Sequence, residues 1–260
     1  MRTVIDLFSG IGGFALGLEA TGYFRTIQFV ENEKWCQKIL NKNFPEIPIH
    51  DDVKTFKGYD ADVVVGGFPC QPFSVAGKQQ AIQDNRHLWP DMFRVIKETK
   101  PTWIIGENVR NIVSISEGMV LEQVYLDLES EGYEVQSFII PASAVNAPHQ
   151  RYRTWIVAHT ESFGSDGREN SKRKQQLSNS NVANTDSKGS QRQRKITIRT
   201  YEELENFGNP CWWNTEPNVG RVASRIPNRV DRLKGLGNAI VPQIAYQIGK
   251  AIMEAENDNR

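Results

Sequence analysis

Apolar positions along the first 160 residues follow two rhythms. Short runs at residues 3–8, 26–31, 61–66 and 103–107 are rich in Val, Ile and aromatic side chains with little polar alternation, which predicts strands buried in a parallel sheet. Between them, residues 33–43, 88–97 and 119–131 carry apolar side chains at three-to-four spacing, which predicts amphipathic helices, the last stopped at Gly132. Residues 135–140 and 154–158 predict a closing pair of strands. Strands and helices in this order predict an open α/β sheet covered by helices.

The rhythm stops after His159. From there to about Arg199 the chain is Ser, Asn, Gln, Lys, Arg and Gly with hardly any large apolar side chain, a composition that cannot form its own core. Total charge is balanced at 31 Lys or Arg against 31 Asp or Glu, so it says nothing about partners. Its distribution does, because residues 168–199 hold nine Lys or Arg against Glu169 and Asp186. Such an insert is either a solvated loop or a nucleic-acid contact. Residues 158–165 are echoed weakly by 183–190, as two similar turns would be. Order resumes near Tyr201, with Trp212 and Trp213 as anchors, and residues 242–256 predict a final helix with Pro242 in its first turn. The predicted organisation is a sheet domain over 1–159, a basic polar region over 160–220 and a segment over 221–260 that completes the sheet domain.

Cysteine usage narrows the setting. Cys36, Cys70 and Cys211 are odd in number and widely spread, which suits a reducing cytoplasmic compartment rather than a disulfide framework. No basic leader precedes the first strand and no run of about eighteen apolar residues occurs, so no membrane segment is expected. His50, His87, His149 and His159 lack Cys or carboxylate partners at metal-ligand spacing, and no bound metal is expected.

Candidate chemistry clusters where predicted strands end. Asp6-Leu7-Phe8-Ser9-Gly10-Ile11-Gly12-Gly13-Phe14 joins the first strand to a helix, and glycines there let a nucleotide-like ligand approach the backbone. Glu31 closes the second strand, where a carboxylate can take both ribose hydroxyls. Asp52 follows a third short strand, within reach of an adenine amine. In Gly66-Gly67-Phe68-Pro69-Cys70-Gln71-Pro72-Phe73-Ser74, two prolines constrain a cysteine on a loop at the sheet's carboxyl edge. Thiolate is the nucleophile, so Arg151 or Arg153 would favour its ionisation. Glu107-Asn108-Val109 ends a further strand at the same edge, and Arg151 and Arg153, two apart at a strand start, are expected on one face. Gly235-Leu236-Gly237-Asn238-Ala239-Ile240-Val241-Pro242-Gln243 leads into the last helix.

Together these segments resemble the DNA cytosine-5 methyltransferases of bacteria and phages, in family order and over nearly the whole chain apart from the basic insert. The resemblance implies a Rossmann-like S-adenosylmethionine-dependent methyltransferase sheet with a small, irregular target-recognition lobe, here residues 160–220. It implies methyl transfer from S-adenosylmethionine to carbon 5 of cytosine in a specific duplex DNA sequence, leaving S-adenosylhomocysteine. Cys70 would be the nucleophile, adding to carbon 6 of a flipped-out base, with Glu107, Arg151 and Arg153 gripping that base. Contacts to the methyl donor are implied for Asp6, Phe8, Gly10, Gly12, Gly13, Glu31, Asn32, Asp52, Val53, Pro69 and Asn238. A monomer acting on bacterial or phage DNA is expected, and a companion restriction endonuclease of the same specificity is left open.

The sequence departs from the family at two places. His149 stands where the family has Gln, with Gln150 one place later, and Asn32 stands where a larger side chain often lies beside the adenine. Basic groups of the insert, with Lys78 and Arg86, would hold phosphates against the cost of base extrusion, about a few kcal/mol. Three rival readings are an RNA substrate, a non-enzymatic DNA-binding regulator on a decayed scaffold, and a dinucleotide oxidoreductase. The last lacks its Gly-x-Gly-x-x-Gly spacing.

Overall fold

The computed structural model describes residues 1–69, 88–160 and 235–258, together with the backbone of 198–200. Cys70, Lys78, Arg86, Trp212, Trp213 and nearly all of the basic insert lie outside the described residues.

The elements run β1 (Arg2–Leu7), α1 (Gly13–Glu19), β2 (Phe24–Val30), α2 (Lys34–Asn43), β3 (Ile49–His50), β4 (Val63–Gly66), α3 (Trp89–Thr99), β5 (Trp103–Val109), α4 (Met119–Ser130), β6 (Tyr133–Ile140), β7 (Arg153–Thr160), β8 (Ile198–Thr200) and α5 (Pro242–Asp258). They build one sheet of order β3-β2-β1-β4-β5-β7-β6-β8. Strand β7 runs antiparallel to both of its neighbours, while β1 pairs in parallel with β2 and β4, and β4 with β5. The mixed α/β sheet agrees with the predicted fold class.

Alternation along each strand sorts its side chains into two layers. Ile5, Leu7, Val64, Ile104 and Ile156 face α3 and α4, meeting Met92, Val95, Ile96, Leu121, Val124 and Leu128. Val4, Val63, Val65, Ile105 and Trp155 face the other way, onto Phe14 and Leu18 of α1 and Ile244, Ala245 and Ile252 of α5. Both faces are covered, which explains the near absence of polar alternation in the central strands.

The last helix is tied to the first strand by a buried acid. Glu256, 1% exposed, accepts hydrogen bonds from Arg2, from the Trp103 indole N–H (2.8 Å) and from the Tyr23 hydroxyl. Arg2 also pairs with Asp62 at 2.7 Å. We expect Glu256→Gln to lower unfolding stability by about 2–4 kcal/mol, because an amide N–H₂ would confront donors already committed to the carboxylate. Urea denaturation measures it, and a loss below about 0.5 kcal/mol would show that the cluster closes without the charge.

Strand β8 was absent from the predicted elements. It pairs in parallel with residues Ser137, Phe138 and Ile139 of β6. Its three residues end the β-branched run Ile196-Thr197-Ile198-Arg199-Thr200, a short strand signal hidden by the polar composition of the insert before it, and the edge of β6 provides the partner.

Candidate active site

Parallel register brings the carboxyl ends of β1, β2, β4 and β5 to one edge, with Leu7 opposite both Val30 and Gly66, and Gly66 opposite Gly106. Because β7 is reversed, its first residue, Arg153, arrives at that same edge and pairs with Val109. A cleft of about 620 Å³ opens there. Its walls include Phe8, Gly10, Glu31, Asn32, Asp52, Val53, Pro69, Glu107, Arg151, Arg153 and Asn238. Eleven residues singled out from sequence, distributed from position 8 to position 238, are thus brought together.

One wall is the turn after β1. Phe8, Gly10 and Gly12 have φ of 54°, 55° and 87°, so the chain reverses through left-handed residues in quick succession. Gly takes that conformation without a Cβ penalty, whereas Phe8 holds it at a cost of about 1–2 kcal/mol while lining the cleft. Glu31 braces the turn, its carboxylate accepting from the Gly10 amide at 2.7 Å and from the Glu33 amide at 2.8 Å. Burial raises the Glu31 pKa, and those two amides pull it back. Asp52 caps its own turn by accepting from the Lys54 amide at 2.9 Å.

Three predicted donor contacts do not reach the cleft wall. Asp6 is fully buried beneath the turn, and burial with the nearby Glu31 charge holds its carboxyl well above the usual range. A methyl carbon on Gly12 would stand 2.7 Å from the Phe44 ring, and one on Gly13 would stand 2.8 Å from the Ile240 carbonyl oxygen. Those two glycines make room for neighbouring parts of the fold.

A further part of the wall carries Glu107, Arg151 and Arg153. Glu107, 8% exposed, pairs with Arg153 Nε at 3.0 Å, and its other oxygen lies beside Gly67. Burial pushes the Glu107 carboxyl up to about 7, against the pull of Arg153 and Arg151. The expectation that strand alternation aims both arginines at one face is corrected here. Strand β7 begins only at Arg153, and Arg151 precedes it with φ 33°, donating to the Ala239 carbonyl at 2.8 Å. Both arginines line the cleft, but Arg151 does so from a left-handed turn that staples the strand start to the segment before α5.

Cys70 lies outside the described residues, and its approach is defined up to Pro69. Asn108 Nδ2 donates to the Phe68 carbonyl at 2.8 Å, and the Val109 amide donates to Asn108 Oδ1 at 2.9 Å. Sequence reasoning assigned Asn108 no role, although the polar triplet at the end of an apolar strand was its signal. Trp35 was also missed, and it lines the cleft from the first turn of α2.

A model of the C-5 cytosine-specific DNA methylase family matches residues 2–220. The chain belongs to this family. The type II methyltransferase M.Bsp6I of Bacillus sp. (strain RFL6) is 37% identical over 60% of this chain and 52% of its own length. M.HhaI of Haemophilus parahaemolyticus is 35% identical over 59% of this chain and 47% of its own. A solved chain described as a DNA modification methyltransferase encoded within an E. coli prophage aligns with TM-score 0.53 and 26% identity, covering 62% of this chain and 47% of that one. The chain spans about half the length of the curated relatives it matches. Among its described residues no helix is long and apolar enough to cross a membrane, and no group of three or more His, Cys, Asp or Glu is placed to hold a metal ion.

We expect Asn108→Ala to leave the buried Phe68 carbonyl unpaired and to loosen the peptide between Phe68 and Pro69, which would impair the methyl-transfer activity proposed below. Turnover should fall about 10- to 100-fold with donor affinity unchanged, since the lost bond is worth about 1–3 kcal/mol. Steady-state methylation with a separate binding titration checks it. Equal losses in both would place Asn108 in donor binding instead.

Proposed function

We propose that this protein transfers a methyl group from S-adenosylmethionine to carbon 5 of cytosine in duplex DNA. The observation that carries the reading is the meeting, in one cleft, of the Glu107–Arg153 pair with the segment delivering Cys70 on one side and the braced turn from Phe8 to Gly10 on the other. Residues 1–159 and 221–260 would form the catalytic domain, and 160–220 the target-recognition region.

The cleft suits the donor. A carboxylate fixed by two amides retains lone pairs for ribose hydroxyls at Glu31, Asp52 and Asn238 offer polar contacts, and apolar Phe8, Val30 and Val53 suit a flat base. When bound there, S-adenosylmethionine supplies an electrophilic methyl group.

The remaining chemistry belongs to the chain. Cytosine carbon 5 is a weak nucleophile, so the Cys70 thiolate adds to carbon 6 and the ring electrons move toward N3. Glu107, whose carboxyl is held near neutral pH by burial, donates a proton at N3 as negative charge builds. Arg153, 3.0 Å from Glu107, orients that carboxyl and offsets charge on the O2 side together with Arg151. Carbon 5 is then electron-rich enough to be alkylated, and the N3 proton returns to Glu107 as the double bond between carbon 4 and N3 re-forms. Loss of its proton to base restores the 5,6 double bond and expels the Cys70 thiolate.

The setting that goes with this chemistry is a monomer acting on bacterial or phage DNA in the cytoplasm. Labelled methyl transfer to duplex DNA and to transfer RNA tests the substrate class. Exclusive labelling of RNA would reject the DNA assignment, and bisulfite sequencing of DNA from expressing cells would give the sequence context.

A further inference from the structure

Position 32, next to the ribose candidate Glu31, is an exposed asparagine, so no flat apolar surface is offered there. Three residues on, Trp35 projects from the first turn of α2 and lines the same cleft as Phe8, Val30, Asp52 and Val53. Its indole is held in an unusual way. A methyl carbon on Gly235 would stand 2.4 Å from Trp35 Cζ3 and 3.2 Å from both Cε3 and Cη2. Nearest to one ring carbon and equally farther from its two neighbours, that position sits at a corner of the ring and not over its centre. Gly235 therefore packs obliquely against the Cζ3 corner of the six-membered ring, too close for any side-chain carbon to fit between them.

A half-buried indole packed against the Gly235 backbone and bordering a cleft has less rotamer freedom to lose when a ligand arrives than an exposed one. We propose that Trp35 is the aromatic wall on which the adenine of S-adenosylmethionine stacks in this chain, with Gly235 as the positioning residue that holds it. This assignment rests on the donor reading of the cleft given above. It explains how position 32 can be a small polar residue without loss of a stacking surface, and why position 235 admits no Cβ.

Calorimetric titration of the full-length protein with S-adenosylhomocysteine and with 5′-methylthioadenosine tests it. Trp35→Ala should weaken both ligands by the same factor, about 10- to 100-fold, because base–aromatic stacking contributes on that scale and both ligands share the adenosine end. Trp35→Phe should restore most of the affinity. Trp35→Leu, which keeps apolar bulk without an aromatic face, should not, and it serves if the alanine variant fails to unfold cooperatively. Gly235→Ala should weaken binding alone yet add little on top of Trp35→Ala, since both act through one ring. Unchanged affinity in folded Trp35→Ala or Trp35→Leu protein overturns the assignment, as does a loss confined to the homocysteine-bearing ligand. Wild-type protein that binds neither ligand rejects the donor reading itself, and the role of Trp35 with it.

Discussion

Cys70→Ala is expected to abolish methyl transfer, lowering turnover by about 10⁴-fold or more, because without addition at carbon 6 the cytosine ring cannot supply electrons at carbon 5. Affinity for S-adenosylhomocysteine should stay at the wild-type value, since in the proposed mechanism the thiol attacks the base and the donor is held by other residues. The two readouts together separate a lost nucleophile from a lost fold. Duplex DNA carrying 5-fluorocytosine gives the complementary result. Fluorine cannot leave as the carbon 5 proton does, so wild-type protein should be trapped on the duplex as a covalent adduct and Cys70→Ala should form none. Near wild-type turnover in the alanine variant, or no adduct with active protein, would remove Cys70 from the mechanism.

Glu107→Gln should reduce turnover by about 10²- to 10⁴-fold, the usual worth of a positioned proton donor, while the amide keeps the hydrogen bond to Arg153. The wild-type pH profile carries the same information. With its carboxyl near 7, Glu107 loses its proton as pH rises, so kcat/KM should decline above about pH 7 with a slope of one proton. Arg153 holds that carboxyl down, and Arg153→Met should move the declining limb to higher pH even as it slows the reaction.

Stability should move in the opposite direction to activity. A carboxyl raised from 4.5 to about 7 in the folded protein binds a proton that the unfolded chain releases between those values. Its contribution is therefore fully present below pH 4.5 and falls by about 3 kcal/mol as pH rises through 7. Glu107→Gln removes this dependence, so the variant should be at least as stable as wild type at pH 8. Chemical denaturation at pH 5 and pH 8 reads it, and a variant that is both inactive and less stable at pH 8 would mean that the carboxylate is a structural group.

Much of the fold was legible because buried parallel strands announce themselves. Apolar runs such as Val63-Val64-Val65 and Trp103-Ile104-Ile105 have few other uses, and the intervening helices carry one apolar face each. The closing strands 135–140 and 154–158 fall within β6 and β7, and the last helix begins at Pro242 as expected. Strand β8 was overlooked although Ile196-Thr197-Ile198-Arg199-Thr200 is β-branched, because the run is short and follows a long polar stretch, and its pairing depends on a distant partner.

The roles of individual glycines were not legible either. Gly10, Gly12 and Gly13 look alike in a Gly-rich turn, yet Gly10 lines the cleft while Gly12 and Gly13 make room for Phe44 and Ile240, which are 32 and 227 positions further along the chain. Local sequence records that a side chain is missing, not what occupies its place.

By itself, then, the sequence determined the strand and helix alternation, the residue types at the strand ends and their order, because burial and backbone constraint act locally on each segment. Only the tertiary structure decided which of those ends share an edge. The reversal of β7 puts Arg153 beside Glu107, and the turn before α5 reaches back to Arg151 and Trp35. The raised pKa of Glu107 follows from that enclosure, since the energy of a charge depends on everything around it in space and not on its neighbours in the chain.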